Sequence, residues 1–106
     1  MPKYMVQASY IGDGVKALRQ EGGSARRAAT EKACASVGGR LESFYFAFGA
    51  DDVVAVVDLP DNTTAAAVAL LAGASGALDT RMTVLLTPEE IDAAVKVGVD
   101  FRPPGG

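Results

Sequence analysis

The stretch Arg40 to Leu59, RLESFYFAFGADDVVAVVDL, decides the fold. Aromatic residues precede Gly49 and valines follow Asp52, and both residue types favour extended chain. The glycine and aspartates between them tolerate the backbone angles of a turn. We therefore predict a β-hairpin with Ala50 and Asp51 as its two loop residues.

This turn would set the pairing of the two strands, because side chains alternate between the faces of a sheet. With Gly49 opposite Asp52, one face of the hairpin is wholly apolar and the other is mixed. The expected apolar pairs are Phe48 with Val53, Phe46 with Ala55, and Phe44 with Val57, and the expected mixed pairs are Ala47 with Val54, Tyr45 with Val56, and Ser43 with Asp58.

Outward from the hairpin, alternating patterns predict a first strand and a last strand, and capping signals delimit four helices. The strands are expected over Lys3–Tyr10 and Ala77–Leu86. The helices are expected over Val15–Gln20, from an N-cap at Ser24 to about Val37 before Gly38-Gly39, from Thr63 to Ala74, and from an N-cap at Thr87 to about Val97. The Pro/Gly-rich tail from about residue 99 to 106 is expected to be extended.

The order β-α-β-β-α-β with an added C-terminal helix predicts one α+β domain over residues 1–106, a ferredoxin-like four-stranded antiparallel sheet. The first and third strands are expected in the centre, with helices on the Phe44 side only. The other face would carry Met5, Val54, Val56 and Leu85. One interpretation is a half-polar face in water. We favour the other, that this face is an interface with a second copy of the chain.

Composition excludes several kinds of chemistry. The 106 residues contain no histidine, which removes imidazole bases, His-activated nucleophiles and His-ligated metals or haem. We expect no metal and no cofactor. The single Cys34 fits a reducing compartment, and a net charge of −3 with no apolar run of membrane length favours neither nucleic acid nor membrane as a partner. A cytoplasmic protein is expected.

The sequence resembles the GYD domain family along most of its length. The hairpin departs from the pattern, because Asp51 replaces the tyrosine for which the family is named. The matching stretches are Lys3-Tyr4, Glu21 to Ser24, Arg26-Arg27, Gly38-Gly39, Phe44 to Gly49, Val57 to Asn62, Ala74 to Gly76, Leu85 to Glu90, and Arg102 to Gly105.

This resemblance implies a fold similar to the dimeric α/β barrels, in which two ferredoxin-like sheets pack face to face. It implies no established activity. Enzymes with related barrels often use histidine, which this chain lacks.

The polar residues of the uncovered face form the first candidate site. In a closed barrel, Arg81 would hold a carboxylate or enolate oxygen, and Asp58 would act as a base if burial raised its pKa. The alternative is an Arg–Asp pair that fixes the register of a dimer. The candidate ligand-binding residues are Gln7, Ser9, Tyr45, Asp58, Asp79, Arg81 and Thr83, and the catalytic candidates among them are Arg81, Tyr45 and Asp58.

The second candidate is an anion site at the start of the long helix, formed by Ser24, Arg26 and Arg27. The alternative is a capped surface helix whose arginines pair with Glu21, Glu31 or a partner chain.

Two further features favour structural roles. Cys34 lies among alanines with no group to activate it, so a half-buried packing residue is expected. Asp51 and Asp52 at the hairpin tip are too few ligands for a calcium site, and a solvated turn is the better interpretation.

From these features we predict a homo-oligomer that binds a small organic molecule between its sheet and the partner subunit. The alternative is a cofactor-free enzyme of the dimeric-barrel type, an isomerase or monooxygenase acting on an aromatic or enolisable substrate. A subunit that only builds a larger assembly is the third possibility.

Overall fold

The computed structural model describes all 106 residues. They form four strands and four helices, which are joined by loops. The strands are β1 (Lys3–Tyr10), β2 (Arg40–Phe46), β3 (Val53–Asp58) and β4 (Leu78–Leu85). The helices are α1 (Gly14–Glu21), α2 (Gly23–Ser36), α3 (Asn62–Ala74) and α4 (Pro88–Ala94).

The strands form one antiparallel sheet in the order β2-β3-β1-β4. This confirms the ferredoxin-like α+β fold and the central position of the first and third strands. Tyr4, Ala8 and the β3 residues Val53, Ala55 and Val57 are buried on the face that α2 and α3 cover. Phe44 lies on the same face, as predicted, and packs edge-to-face against Phe46 with ring centroids 5.3 Å apart.

The predicted hairpin register is wrong by two residues. Phe46 pairs with Val53 and Tyr45 with Val54, so residues 47–52 form a longer loop. The reason is that Asp51 and Asp52 bond to β4 and β1 and do not close a tight turn. The Asp52 N–H donates to the Ala8 carbonyl at 2.8 Å, and the Asp52 carboxylate accepts from the Tyr10 N–H at 2.9 Å.

A shift of two residues keeps the side chains of residues 43–46 and 53–58 on their predicted faces, because the side-chain period of a strand is two. The two residues nearest the tip do change position. Ala47 lies in the loop, and Phe48, expected on the covered face, is fully exposed.

Strand β2 contains a β-bulge at Glu42, between the pairs Leu41–Val57 and Ser43–Val56. The extra residue interrupts the regular ladder of this edge strand. The Glu42 side chain accepts a hydrogen bond from Lys3 Nζ at 3.0 Å.

Helix caps follow the predicted chemistry at three of four termini. At the start of α4, Thr87 and Glu90 form a reciprocal capping box, with Pro88 in the first turn. Asp61 caps α3 by accepting a hydrogen bond from the Thr64 N–H at 2.8 Å. Gly38 ends α2 with a φ of 78°. The N-cap predicted at Ser24 is wrong. Gly22 takes that position with a φ of 85°, which glycine adopts without strain, and no side chain caps this helix.

The hydrophobic core contains Tyr4, Cys34, Val57, Leu59 and Ala65. Cys34 is buried rather than half-buried, and burial raises the pKa of its thiol.

The segment from Leu86 to Phe101, which we call the C-terminal arm, lies outside this core. It contains α4, and none of its residues is buried except for partial burial of Thr87. The radius of gyration is 16.9 Å, whereas a compact chain of this length has about 13 Å. The arm therefore extends away from the domain.

Candidate functional site

The face of the sheet that no helix covers consists of rows of neighbouring residues across all four strands. One row runs Tyr45, Val54, Gln7, Arg81, and the next runs Ser43, Val56, Met5, Thr83. A third row runs Arg40, Asp58, Lys3, Leu85. The face thus has an apolar middle between two charged ends.

At one end, Arg81 forms an ion pair with Asp51 from the hairpin loop. The same carboxylate oxygen accepts a hydrogen bond from Gln7 Nε2 at 3.2 Å, and Ser9 Oγ donates to the Ala50 carbonyl at 3.4 Å. The Asp51 side chain is only 14% exposed, while that of Arg81 is 63% exposed. The loop therefore neutralises Arg81 from one side and leaves the rest of its guanidinium accessible.

At the other end, Asp58 is buried and holds two cations. Lys3 Nζ lies 2.9 Å from Oδ1, and a guanidinium nitrogen of Arg40 lies 2.8 Å from Oδ2. The hydrogen bond from Lys3 is the main cause that lowers the pKa of Asp58, with Arg40 adding to it, and the same pair raises the pKa of Lys3. The raised pKa on which a role for Asp58 as a base depended is therefore not found in the single chain.

Between these ends lies a strip of Met5, Val54 and Val56, all half-buried. Beside it the Tyr45 ring is 69% exposed. Because no element of the chain covers this strip, it remains accessible from solution.

The sheet brings some predicted site residues together and separates others. Gln7 neighbours Arg81, Ser9 neighbours Asp79, and Thr83 lies two residues from Arg81. The three catalytic candidates are far apart. Tyr45 and Arg81 are separated by three strand spacings, about 14 Å, and Asp58 lies four residues, about 13 Å, along β3 from the row that contains both. One chain alone cannot direct all three at one small substrate.

At the predicted helix-start anion site, both arginines have intrachain partners. Arg26 lies 3.8 Å from Glu21, and Arg27 Nε lies 3.2 Å from Glu31 on the same helix. Ser24 is exposed and makes no side-chain hydrogen bond. Both pairs are among those that the surface-helix alternative named, although no side chain caps this helix.

Sequence reasoning missed two features. The first is the partner of Arg81, because Asp51 was placed in a tight solvated turn rather than folded over the sheet. The second is a cleft of about 410 Å³ on the opposite, helical side, between α2 and α3. Both helices are rich in alanine, and this was the available signal: side chains that short leave space between two helices that cover one sheet. No group of three or more cysteine, aspartate or glutamate side chains lies close enough to hold a metal ion.

A comparison with protein-family models matches the model described as GYD domain to residues 4–95. The chain belongs to the GYD domain family. The match begins in β1 and ends just after α4, so it covers the whole sheet and all four helices of this GYD domain.

Comparisons of this GYD domain with curated proteins and with solved structures found no significant match. None of its helices combines the length and the apolar character needed to cross a bilayer.

Proposed function

We propose that this GYD domain is a cytoplasmic homodimer that binds a small organic molecule between the uncovered faces of its two sheets. The observation that carries the proposal is the apolar strip of Met5, Val54 and Val56 in the middle of an uncovered face, with an accessible guanidinium at one end. Contiguous apolar surface of this kind on a soluble domain is typical of interaction sites.

Face-to-face packing explains the arrangement of charge. A two-fold axis through the strip would place apolar side chains of one copy on those of the other and leave the charged rows at the periphery. Full burial of an exposed valine or methionine side chain contributes about 1.5–3 kcal/mol. Met5, Val54 and Val56 are already half-buried in one chain, so completing their burial contributes about half of that for each residue. A few such side chains on each copy supply a substantial part of the free energy of association.

The ligand class follows from the row that contains Tyr45 and Arg81. The exposed Tyr45 ring and Val54 offer an apolar surface, and Arg81 offers a bidentate donor for a carboxylate or enolate. We infer an aromatic or otherwise apolar molecule that carries one anionic group.

Native mass spectrometry of Val56→Lys tests the assembly. We expect this change to raise the dimer dissociation constant, since it places a charge at the centre of the apolar strip. Val15→Lys is the matched control, because Val15 is half exposed on α1, away from this face. If both variants keep the mass of the unmodified protein, the sheet-face interface is wrong.

Titration with benzoate, a simple aromatic carboxylate, tests the ligand site. Arg81→Ala should weaken binding, whereas Arg40→Ala, at the opposite end of the same face, should not. Equal benzoate affinity for the unmodified protein, Arg81→Ala and Arg40→Ala would assign Arg81 a structural role.

The alternative function is a cofactor-free enzyme. In its favour, Tyr45, Asp58 and Arg81 all lie on the uncovered face of the sheet. The hydrogen bonds from Lys3 and Arg40 lower the pKa of Asp58, which makes it a weaker base. Against it, Tyr45, Arg81 and Asp58 lie about 13 Å or more from one another in one chain, so the partner subunit would have to complete the site. The enzyme would be favoured if the protein turned over an enolisable aromatic substrate and the Asp58→Asn variant did not. An assembly with no ligand and no turnover would favour a purely structural subunit.

A further inference from the structure

We propose that the C-terminal arm of one copy docks into the cleft between α2 and α3 of a second copy, with Ile91 of α4 and the C-cap residue Val95 directed into it. This contact is separate from the sheet-face interface and from the proposed ligand site. It accounts for two features of the chain that neither of those explains, an arm with exposed apolar side chains and an apolar cleft that no element of the same chain fills.

The arm is a preformed element without a packing partner. Its helix begins with a complete capping box, which fixes the first turn of α4. Yet the large apolar side chains of the arm are between 47% and 77% exposed. These side chains are Leu86, Ile91, Val95, Val97, Val99 and Phe101.

The cleft has the complementary shape and chemistry. Its floor is the covered face of the sheet, including Ala8 and Ala55, and its walls include Ala29 and Ala33 of α2 and Leu71 of α3. Leu71 is 76% exposed at the edge of this cleft. Alanine walls of this kind accept the side-chain ridge of another helix, and residues four apart such as Ile91 and Val95 form such a ridge.

The arm and the pair of helices α1 and α2 carry opposite net charges, although Arg26 is the only charged residue that lines the cleft. The segment 86–101 contains four acidic residues and one basic residue, whereas α1 and α2 (residues 14–36) contain five basic and two acidic residues. Arg26 lies in the wall of the cleft itself. Asp92 follows Ile91 on α4 and is exposed. Complementary charge of this kind steers two surfaces together and selects their orientation.

A second copy is favoured over the chain's own cleft for a geometric reason. Only Leu86 and Thr87 connect β4 to α4, so three Cα–Cα steps join Leu85 to Pro88 and span at most about 11 Å. Helix α3 packs on β4, the strand that leads into the arm, and a path over a helix about 10 Å in diameter is about 15 Å long. The connection is therefore too short to carry α4 across α3 into the chain's own cleft. An exchange between two copies satisfies both arms and both clefts at once.

The test is a photo-cross-linking experiment on the full-length protein, with benzoylphenylalanine in place of Val95 and a mixture of unlabelled and ¹⁵N-labelled chains. Mass spectrometry then shows which residues react and whether the two peptides come from different chains. We expect cross-links between chains to residues of α2 and α3 that line the cleft. The matched control places the probe at Ala93, on the opposite side of α4. From this position we expect no cross-links to the residues that line the cleft.

Cross-links within one chain, cross-links to the uncovered sheet face, or no cross-links from residue 95 would each overturn the proposal. The readout is distinct from the tests of the proposed function, because benzoate binding reports on Arg81 and Val56→Lys reports on the sheet face. As a second measurement, the variant I91D/V95D should lose the hydrogen-exchange protection that the docked arm gives α4, and A93D should keep it.

Discussion

The guanidinium of Arg81 on β4 is paired with the carboxylate of Asp51, which the hairpin loop folds over the uncovered face of the sheet. In this GYD domain the loop therefore supplies an internal anion for Arg81, and an external anion has to compete with it.

The first prediction concerns this competition. Asp51→Asn should strengthen benzoate binding by up to about fivefold, because an ion pair with an exposed partner contributes up to about 1 kcal/mol that the ligand no longer has to offset. Isothermal titration calorimetry measures the change. Asp13→Asn is the control, since Asp13 is exposed before α1, makes no side-chain cap hydrogen bond and lies outside the proposed site. Weaker binding by Asp51→Asn would indicate that Asp51 positions Arg81 rather than competes for it.

The second prediction concerns the stability of the opposite end of the face. Asp58 has a lowered pKa, so its ionised form stabilises the folded state fully above its unfolded pKa of about 3.9, and this stabilisation is lost as the pH falls through the folded pKa. Lys3 has a raised pKa, so its contribution is full below about pH 10.4 and is lost as the pH rises through the folded pKa.

Asp58→Asn should therefore lower the free energy of unfolding by about 1 kcal/mol at neutral pH, a value that allows for solvent screening of Lys3 and Arg40. The difference from the unmodified protein should shrink below about pH 4 and again above about pH 10. Urea unfolding at a fixed protein concentration measures it. A difference that stays constant from neutral to acidic pH would show that the ion pairs are not its source.

The third prediction compares two glycines. A Cβ at Gly39 would clash with the carbonyl oxygen of Asp58 and the Leu59 side chain, whereas a Cβ at Gly73 in α3 would meet nothing. Gly39→Ala should destabilise the fold by about 1–3 kcal/mol through overpacking. Gly73→Ala should stabilise it by about 0.5–1 kcal/mol, because alanine is the better helix former. Thermal unfolding of the two variants checks the direction of both stability changes. Equal shifts of the unfolding temperature would contradict the close packing at Gly39.

The fourth prediction concerns Cys34. Its thiol is 3% exposed and burial raises its pKa, so little reactive thiolate is accessible. A disulfide reagent should modify the folded protein far more slowly than the urea-unfolded protein. Ser36→Cys in a Cys34→Ala background is the control, since Ser36 is exposed on the same helix and its replacement should react at once. Equal rates for the two thiols would mean that Cys34 is not buried in solution.

The sequence predicted the strands, their order and the covered face because these depend on alternation and on capping residues, both of which are local signals. Lys3–Tyr10 matches β1 at both ends, and the Thr87 capping box forms as expected. The hairpin register was wrong because Asp51 and Asp52 form hydrogen bonds with residues more than 25 positions away in the chain, including Arg81 and Tyr10. Turn propensity contains no information about such distant partners.

The candidate site was predictable only as a set of residues that share a face. The alternation of side chains along each strand placed Gln7, Tyr45 and Arg81 on the uncovered side. Alternation could not give the distances between these residues across the sheet, which depend on strand order and register together. The cleft between α2 and α3 was missed for a related reason, since the space between two helices depends on their tertiary placement and not on either helix alone.

The β-bulge at Glu42 has a consequence for how copies of the chain can meet. Strand β2 is an edge of the sheet, and a regular edge offers a row of unpaired backbone donors and acceptors to any other strand. The extra residue breaks the spacing of that row, and the charged side chains of Arg40 and Glu42 stand beside it. Pairing of this edge with a strand of another chain is thereby disfavoured, which lowers the risk of edge-to-edge aggregation.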